Sequence, residues 1–183
     1  KGDQYDSIMN YSFTKACLDY FSKKTLTTQE MSDRLNDILA RNNNVVNDLM
    51  LNLLDSHDTP RFITEVSGDK ELFMNALCLL YLFPGTPCIF YGTEIMTEGG
   101  GDPDCRRCMD WKKAEKAGNS ETVRLIRKLA DLRGNYNLLT KDVKICAKEG
   151  MLTISYKNRR TDLELRINNE GKRSLRVNDK ELL

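Results

Sequence analysis

Two short apolar runs, "LMLNLL" at 49–54 and "PCIFY" at 87–91, flank a long segment whose apolar residues recur at helical spacing. Of all the features in this chain, that alternation restricts the fold most. The runs are of strand length, and the segment between them, "DKELFMNALCLLYLFPG", reads as a helix closed by Pro84 and Gly85. The same unit appears upstream. "YDSIMNY" (Tyr5 to Tyr11) reads as a short buried strand, followed by a helix with Phe13, Ala16, Cys17, Tyr20 and Phe21 on its apolar face. A second helix carries Met31, Leu35, Ile38 and Leu39, with Thr27 or Thr28 as its N-cap, Gln29 and Glu30 just inside, and "RNNN" as its stop. Downstream of "PCIFY", Val123, Ile126, Leu129, Ala130 and Leu132 mark a further helix ended by Gly134.

From Val143 the period changes. "VKICAKEGMLTISYKNRRTDLELRINNEGKRSLRVND" alternates apolar and polar residues between the turn signals "KEG", "KNRRTD" and "NNEG", which predicts an antiparallel meander. Its end, "NDKELL", offers no obvious final strand pair. The expected class is therefore α/β, with a βα-repeat portion over 1–138 and a small antiparallel β domain over 139–183. Repeated βα units imply a parallel sheet covered by helices, and right-handed crossovers leave a doubly wound sheet or part of a barrel. Three strands are too few to complete either.

Charge and cysteine use narrow the function classes. Lys+Arg 28 against Asp+Glu 27 lacks the basic excess that phosphate-backbone binding needs, so nucleic acid is not expected as a partner. The longest apolar stretch, "ALCLLYLFPG", is too short to span a bilayer, and "KGDQYDS" lacks a signal-peptide layout. Six cysteines are an even number, but three lie in apolar segments where a free thiol acts as a small hydrophobe, which points to a reduced, cytoplasmic setting. "CRRC" (Cys105 to Cys108) has neither a second pair nor a nearby histidine, so no metal site is expected there.

In α/β folds of either kind, functional groups gather beyond the carboxyl ends of the parallel strands. Two successive strand ends here deliver "DSHDTPR" and "GTE…GGGDPDCRR", which would set Asp55, His57, Asp58, Arg61, Glu94, Asp102, Arg106 and Arg107 on one rim. A histidine beside an aspartate at a strand end suits sugar hydroxyls: the imidazole donates while the carboxylate accepts from two neighbours. A Ser-His-Asp nucleophile built from "DSHD" is disfavoured, because adjacent residues on an extended segment point to opposite sides. "EGGGDPDC" lacks the GKS or GKT ending of a phosphate loop.

Taken together, "LLDSHDTPRF", "PGTPCIFYGTE" and "GGGDPDCRRCMDW" resemble the α-amylase family, glycoside hydrolase family 13, in its cyclomaltodextrinase, neopullulanase and maltogenic amylase branch. "GDQYDSIMNY" fits the same branch. The resemblance implies strands six to eight of a (β/α)8 TIM barrel, at Tyr5–Tyr11, Leu49–Leu54 and Cys88–Tyr91, followed by an antiparallel β domain. It implies cleavage of α-1,4 and in some members α-1,6 glucosidic bonds with retention, by a carboxylate nucleophile and a carboxylic acid about 5 Å apart. By the same resemblance Asp58 is the third carboxylate, which stabilises the distorted, transition-state-like sugar; His57 is the matching hydroxyl ligand; and Asp102 and Arg106 contact the neighbouring glucose. The family's GxRxD nucleophile motif and its acid/base glutamate belong before residue 1, which implies the carboxyl-terminal portion of a longer enzyme, inactive by itself. One position departs from the pattern: Thr93 stands before Glu94 where the family usually has aspartate.

The resemblance implies an α-glucan oligosaccharide as partner and no cofactor, with the family's calcium sites built elsewhere in the chain. Open sheet edges would favour self-association or pairing with the missing amino-terminal part. Two other readings stay open beside the enzyme: a stand-alone, non-catalytic carbohydrate-binding module, and an α/β domain whose motifs serve packing only.

Overall fold

In the computed structural model, which describes residues 7–183, the first ordered backbone pairing joins Met9 to Leu51 in parallel, through Asn10 N to Leu51 O (2.8 Å) and Leu51 N to Ile8 O (3.0 Å). The expected first strand is thus represented by a bridge. Residues 5 and 6 lie outside the described range, and Ile8 and Met9 are exposed rather than buried. Chain order then runs α1 (Tyr11–Cys17), α2 (Thr28–Ala40), α3 (Asn44–Leu49), β1 (Leu51–Leu53), α4 (Phe62–Glu65), α5 (Lys70–Leu82) and β2 (Thr86–Cys88). α6 (Trp111–Lys116) and α7 (Glu121–Asn135) precede the strands β3 (Val143–Lys148), β4 (Met151–Lys157), β5 (Asp162–Ile167), β6 (Arg173–Val177) and β7 (Lys180–Glu181).

Local chemistry explains most boundaries. Asn10 caps α1 by accepting from the Phe13 amide, and α1 continues as a π-helical turn, Leu18–Ser22, that keeps Tyr20 and Phe21 in the core. Thr27 opens α2 with a reciprocal capping box to Glu30, as its sequence predicts. The Asp69 carboxylate caps α5 through the Glu71 and Leu72 amides. Where sequence and structure differ, a local cause is visible. The run 49–54 yields only three strand residues, because Asn43 caps α3 and that helix absorbs Leu49. The run 87–91 pairs only up to Cys88, where β1 ends; β2 has no strand on its other side among the described residues, which leaves the run half-exposed, and Tyr91 O accepts from Arg61 instead of a strand neighbour. Gly134 lies inside α7 and does not end it.

β1 and β2 are hydrogen-bonded in parallel, register Leu51↔Thr86 to Leu53↔Cys88, with α5 as the crossover. Asn52 on β1, fully buried, donates to Pro84 O just before β2 (2.7 Å) and accepts from Asn10 beside the Met9 bridge (2.8 Å), linking the three segments. The carboxyl-terminal strands form one antiparallel meander in the order β3-β4-β5-β6-β7. The Glu149-Gly150 and Asn178-Asp179 turns both have positive φ at both residues, as two-residue hairpins require. The second of these creates the closing strand pair that "NDKELL" did not reveal. Among the described residues, no helix is long and apolar enough to cross a membrane.

One hydrophobic core runs across the 138/139 boundary, joining Phe13, Phe21 and Leu77 to Leu152, Ile154 and Leu165. Polar bonds reinforce it. Asn75 on α5 donates to Asn168 O and Lys172 O (3.0 Å each), Tyr156 donates to Leu82 O (2.8 Å), and Arg133 reaches Tyr81 O (2.7 Å) and Gly85 O (2.5 Å). The meander is therefore fastened to the helix that carries the chain from β1 to β2.

Candidate functional site

The loop leaving β1 is folded back by its own polar groups. Asp55, buried beneath it, accepts the Phe62 amide (2.9 Å) and so caps α4 from seven residues upstream, in place of Arg61, whose side chain makes no cap. The Ser56 amide donates to Thr59 Oγ1 (2.9 Å) and the Asp58 amide to Ser56 Oγ (3.2 Å). These turns hold His57 and Asp58 outward, with side chains more than half exposed.

The second loop, after β2, is built around Asp104. Its carboxylate accepts the Gly100 amide (2.7 Å) and a two-pronged Arg107 fork (2.6 and 2.7 Å), which closes the glycine-rich turn. Gly99 is required by packing: a Cβ there would sit 2.6 Å from Asp104 O and 2.9 Å from Cys105 Cα. The glycines thus serve loop closure. Cys105, fully buried, donates its thiol to His57 O (3.0 Å), so the two loops meet at that contact.

All four residues singled out from the sequence converge there. His57 Nε2 lies 3.1 Å from Asp58 Oδ2, Arg106 Nη2 donates to Asp58 Oδ1 (3.0 Å), and Arg106 Nε donates to Asp102 Oδ1 (2.7 Å). The hydrogen bond that Arg106 donates to Asp102, and then the charges of Asp102 and Asp58, hold the Arg106 guanidinium above its ordinary value. In this exposed setting the pairs add little to stability. Their use is geometric: both oxygens of Asp58 are addressed from opposite sides, and a row of imidazole, carboxylate, guanidinium and carboxylate faces solvent. Such a row can accept from and donate to neighbouring hydroxyls of a sugar. Ser56 is not turned to His57; its hydroxyl receives the Asp58 amide and lies 3.4 Å from Thr59 Oγ1, so "DSHD" does not form a nucleophile triad.

The other residues expected on the rim are placed differently. Asp55 and Arg61 lie beneath it, both buried, and Arg107 is consumed by Asp104. Burial pushes the Asp55 carboxyl up from its ordinary value, against the Phe62 amide, the Arg61 charge and the Thr93 hydroxyl, which pull it down. Thr93, the departure from the family pattern, donates to Asp55 Oδ1 at 3.3 Å. An aspartate at this position would face a second carboxylate. The role of Arg61 was not legible, because a charged residue in a polar cluster reads as surface; the signal that favours burial is its position directly before the apolar pair Phe62-Ile63. Among the described residues no three His, Cys, Asp or Glu side chains gather to hold a metal ion.

A parallel βα portion, an antiparallel meander packed on it and an exposed cluster of charged side chains at the strand ends define the class: an α/β protein with a polar strand-end site. The family model for the α-amylase catalytic domain matches residues 1–145, and the chain belongs to that family. A maltogenic α-amylase from Bacillus acidopullulyticus is 37% identical over 153 residues, covering 84% of this chain and 25% of the relative. A Bacillus cyclomaltodextrinase is 39% identical over 148 residues, covering 78% of this chain and 26% of the relative. Among solved structures, the ligand-free cyclic α-maltosyl-(1→6)-maltose hydrolase of Arthrobacter globiformis superposes with a TM-score of 0.84 at 26% identity, covering 92% of this chain and 38% of that one. The chain thus spans about a quarter of the length of the curated relatives it matches.

Proposed function

We propose that this chain supplies the substrate-gripping side of the active site in a retaining α-glucan hydrolase, acting on α-1,4 and in some substrates α-1,6 bonds of maltooligosaccharides, cyclodextrins or pullulan. The observation that carries this reading is the contiguous His57–Asp58–Arg106–Asp102 row, assembled from two strand-end loops 44 or more residues apart in sequence. In it Asp58 is the transition-state-stabilising carboxylate, His57 its partner on the same sugar, and Asp102 with Arg106 the ligands of the neighbouring glucose. The parallel segments around Met9, β1 and β2 correspond to strands six to eight of a (β/α)8 barrel, with 1–138 as the barrel portion and 139–183 as the β domain.

Retaining hydrolysis needs a nucleophile and an acid/base, and one gripping carboxylate cannot fill both roles. The 183 residues by themselves are therefore proposed to bind sugar without turnover. Purified chain of the correct mass should release no chromophore from a chromogenic maltoside; sustained release that follows the protein through purification would refute this. The exposed Ile8, Met9, Tyr11, Val45 and Leu49, beside the bridge at Met9, support pairing of this edge with further barrel strands or with a second copy. All six cysteines are free thiols, which favours a reducing, cytoplasmic setting.

A further inference from the structure

Arg61 is the largest fully buried side chain among the described residues, and it is not part of the row at the rim. Its surroundings are specific. The guanidinium donates through Nε to Cys105 O (2.8 Å) and through Nη1 to Tyr91 O (2.7 Å), and its Cζ lies over the rings of Phe90 (4.1 Å) and Tyr91 (4.6 Å). Its own amide donates to Gly99 O (2.9 Å). Nη2 is buried without a hydrogen-bond partner among the described residues, and the nearby charge is the capping carboxylate Asp55. One residue therefore touches three segments: the β1 loop that holds His57 and Asp58, the end of the β2 run, and the loop 99–107 that holds Asp102 and Arg106.

We propose that Arg61 is the positioning residue of the sugar-binding rim, a buried latch that fixes loop 99–107, and with it Asp102 and Arg106, against His57 and Asp58. This rests on the reading of the rim given under Proposed function. The chemistry requires arginine. Only a planar fork with fixed donors can reach two carbonyls on different loops while its faces stack on aromatic rings; lysine offers a point charge without that plane. Because the latch bonds Cys105, whose thiol in turn bonds His57 O, loss of Arg61 should release the loop at the contact where the two halves of the rim meet.

Cysteine alkylation of the native chain, mapped by mass spectrometry, reads this out without activity. Cys108 is exposed and labels freely, Cys17 and Cys78 are buried in the core and report global opening, and Cys105 reports the loop. In Arg61→Met the labelling of Cys105 should rise by about tenfold or more, as expected for local opening, with Cys17 and Cys78 unchanged. Arg61→Lys, which keeps the charge, should label Cys105 at an intermediate rate. Maltotriose affinity should fall in Arg61→Met, and that fall should shrink when Arg106→Ala is already present. Cys105 as protected in Arg61→Met as in the parent chain would overturn the latch. So would Cys17 and Cys78 opening in step with Cys105 in both variants, which would make Arg61 a general core residue. If Cys105 opens selectively but Asp58→Ala and Arg106→Ala bind maltotriose like the parent chain, the latch stands and the sugar-binding reading of the rim fails.

Discussion

Replacing Asn75 with leucine tests whether the meander and the βα portion fold as one unit. Asn75 is fully buried on α5; its Nδ2 donates to Asn168 O and Lys172 O at 3.0 Å each, and its Oδ1 accepts from Arg173 at 3.3 Å. Leucine fills comparable space but offers no donor. Lys172 O keeps a second partner, the Asn168 amide at 3.1 Å, whereas Asn168 O loses a buried donor. One orphaned carbonyl at roughly 1–3 kcal/mol and one net hydrogen bond near 1 kcal/mol give an expected loss of about 2–4 kcal/mol. Urea unfolding followed both by far-ultraviolet circular dichroism and by the near-ultraviolet signal of the buried rings, Tyr20 in the βα portion and Tyr156 in the meander, measures it. Both probes should shift to a lower midpoint together with the slope unchanged, since one core spans both portions. A loss below about 0.5 kcal/mol, or a far-ultraviolet transition that splits away from the near-ultraviolet one, would refute the shared-core argument.

Two further outcomes follow from the same structure. Burial raises the Asp55 carboxyl above its ordinary value of 3.8, so its folded form favours the proton; the stability this gives is fully present below that value and is lost as pH rises through the raised one. The midpoint of the parent chain minus that of Asp55→Asn should therefore shrink as pH rises from about 4 toward neutrality, and a difference that grows over this window would contradict the assignment. The exposed apolar residues beside Met9 should make the chain self-associate; a molar mass that stays monomeric at every concentration in light scattering would argue against an unpaired edge.

Much of this was readable in the residues, and the failures have physical causes. Helices α2 and α5 follow from their apolar periodicity, with Thr27 and Glu30 opening the first and Pro84 and Gly85 closing the second. Hairpin turns with glycine, as at Glu149-Gly150, were visible, whereas Asn178-Asp179 reaches the same positive φ without glycine and left the last strand hidden. Strand ends were overdrawn at 87–91 because hydrophobicity does not show that Arg61 takes the Tyr91 carbonyl. At the site, the four outward residues were named from their motifs, and the structure brings all four into contact. The layer beneath them was not legible. Arg61 and Cys105 act through backbone groups 44 and 48 residues away, and Asp55 caps α4 from seven residues upstream rather than from the N-cap position, so no spacing rule encodes them.

The most direct test of the gripping rim is calorimetric titration of the chain with maltotriose. The parent chain should give a saturable binding heat that disappears in Asp58→Ala and weakens in His57→Ala and Arg106→Ala. Binding by Asp58→Ala at the parent's affinity, or no heat from the parent chain up to the solubility of the sugar, would contradict the assignment of this row to an α-glucan.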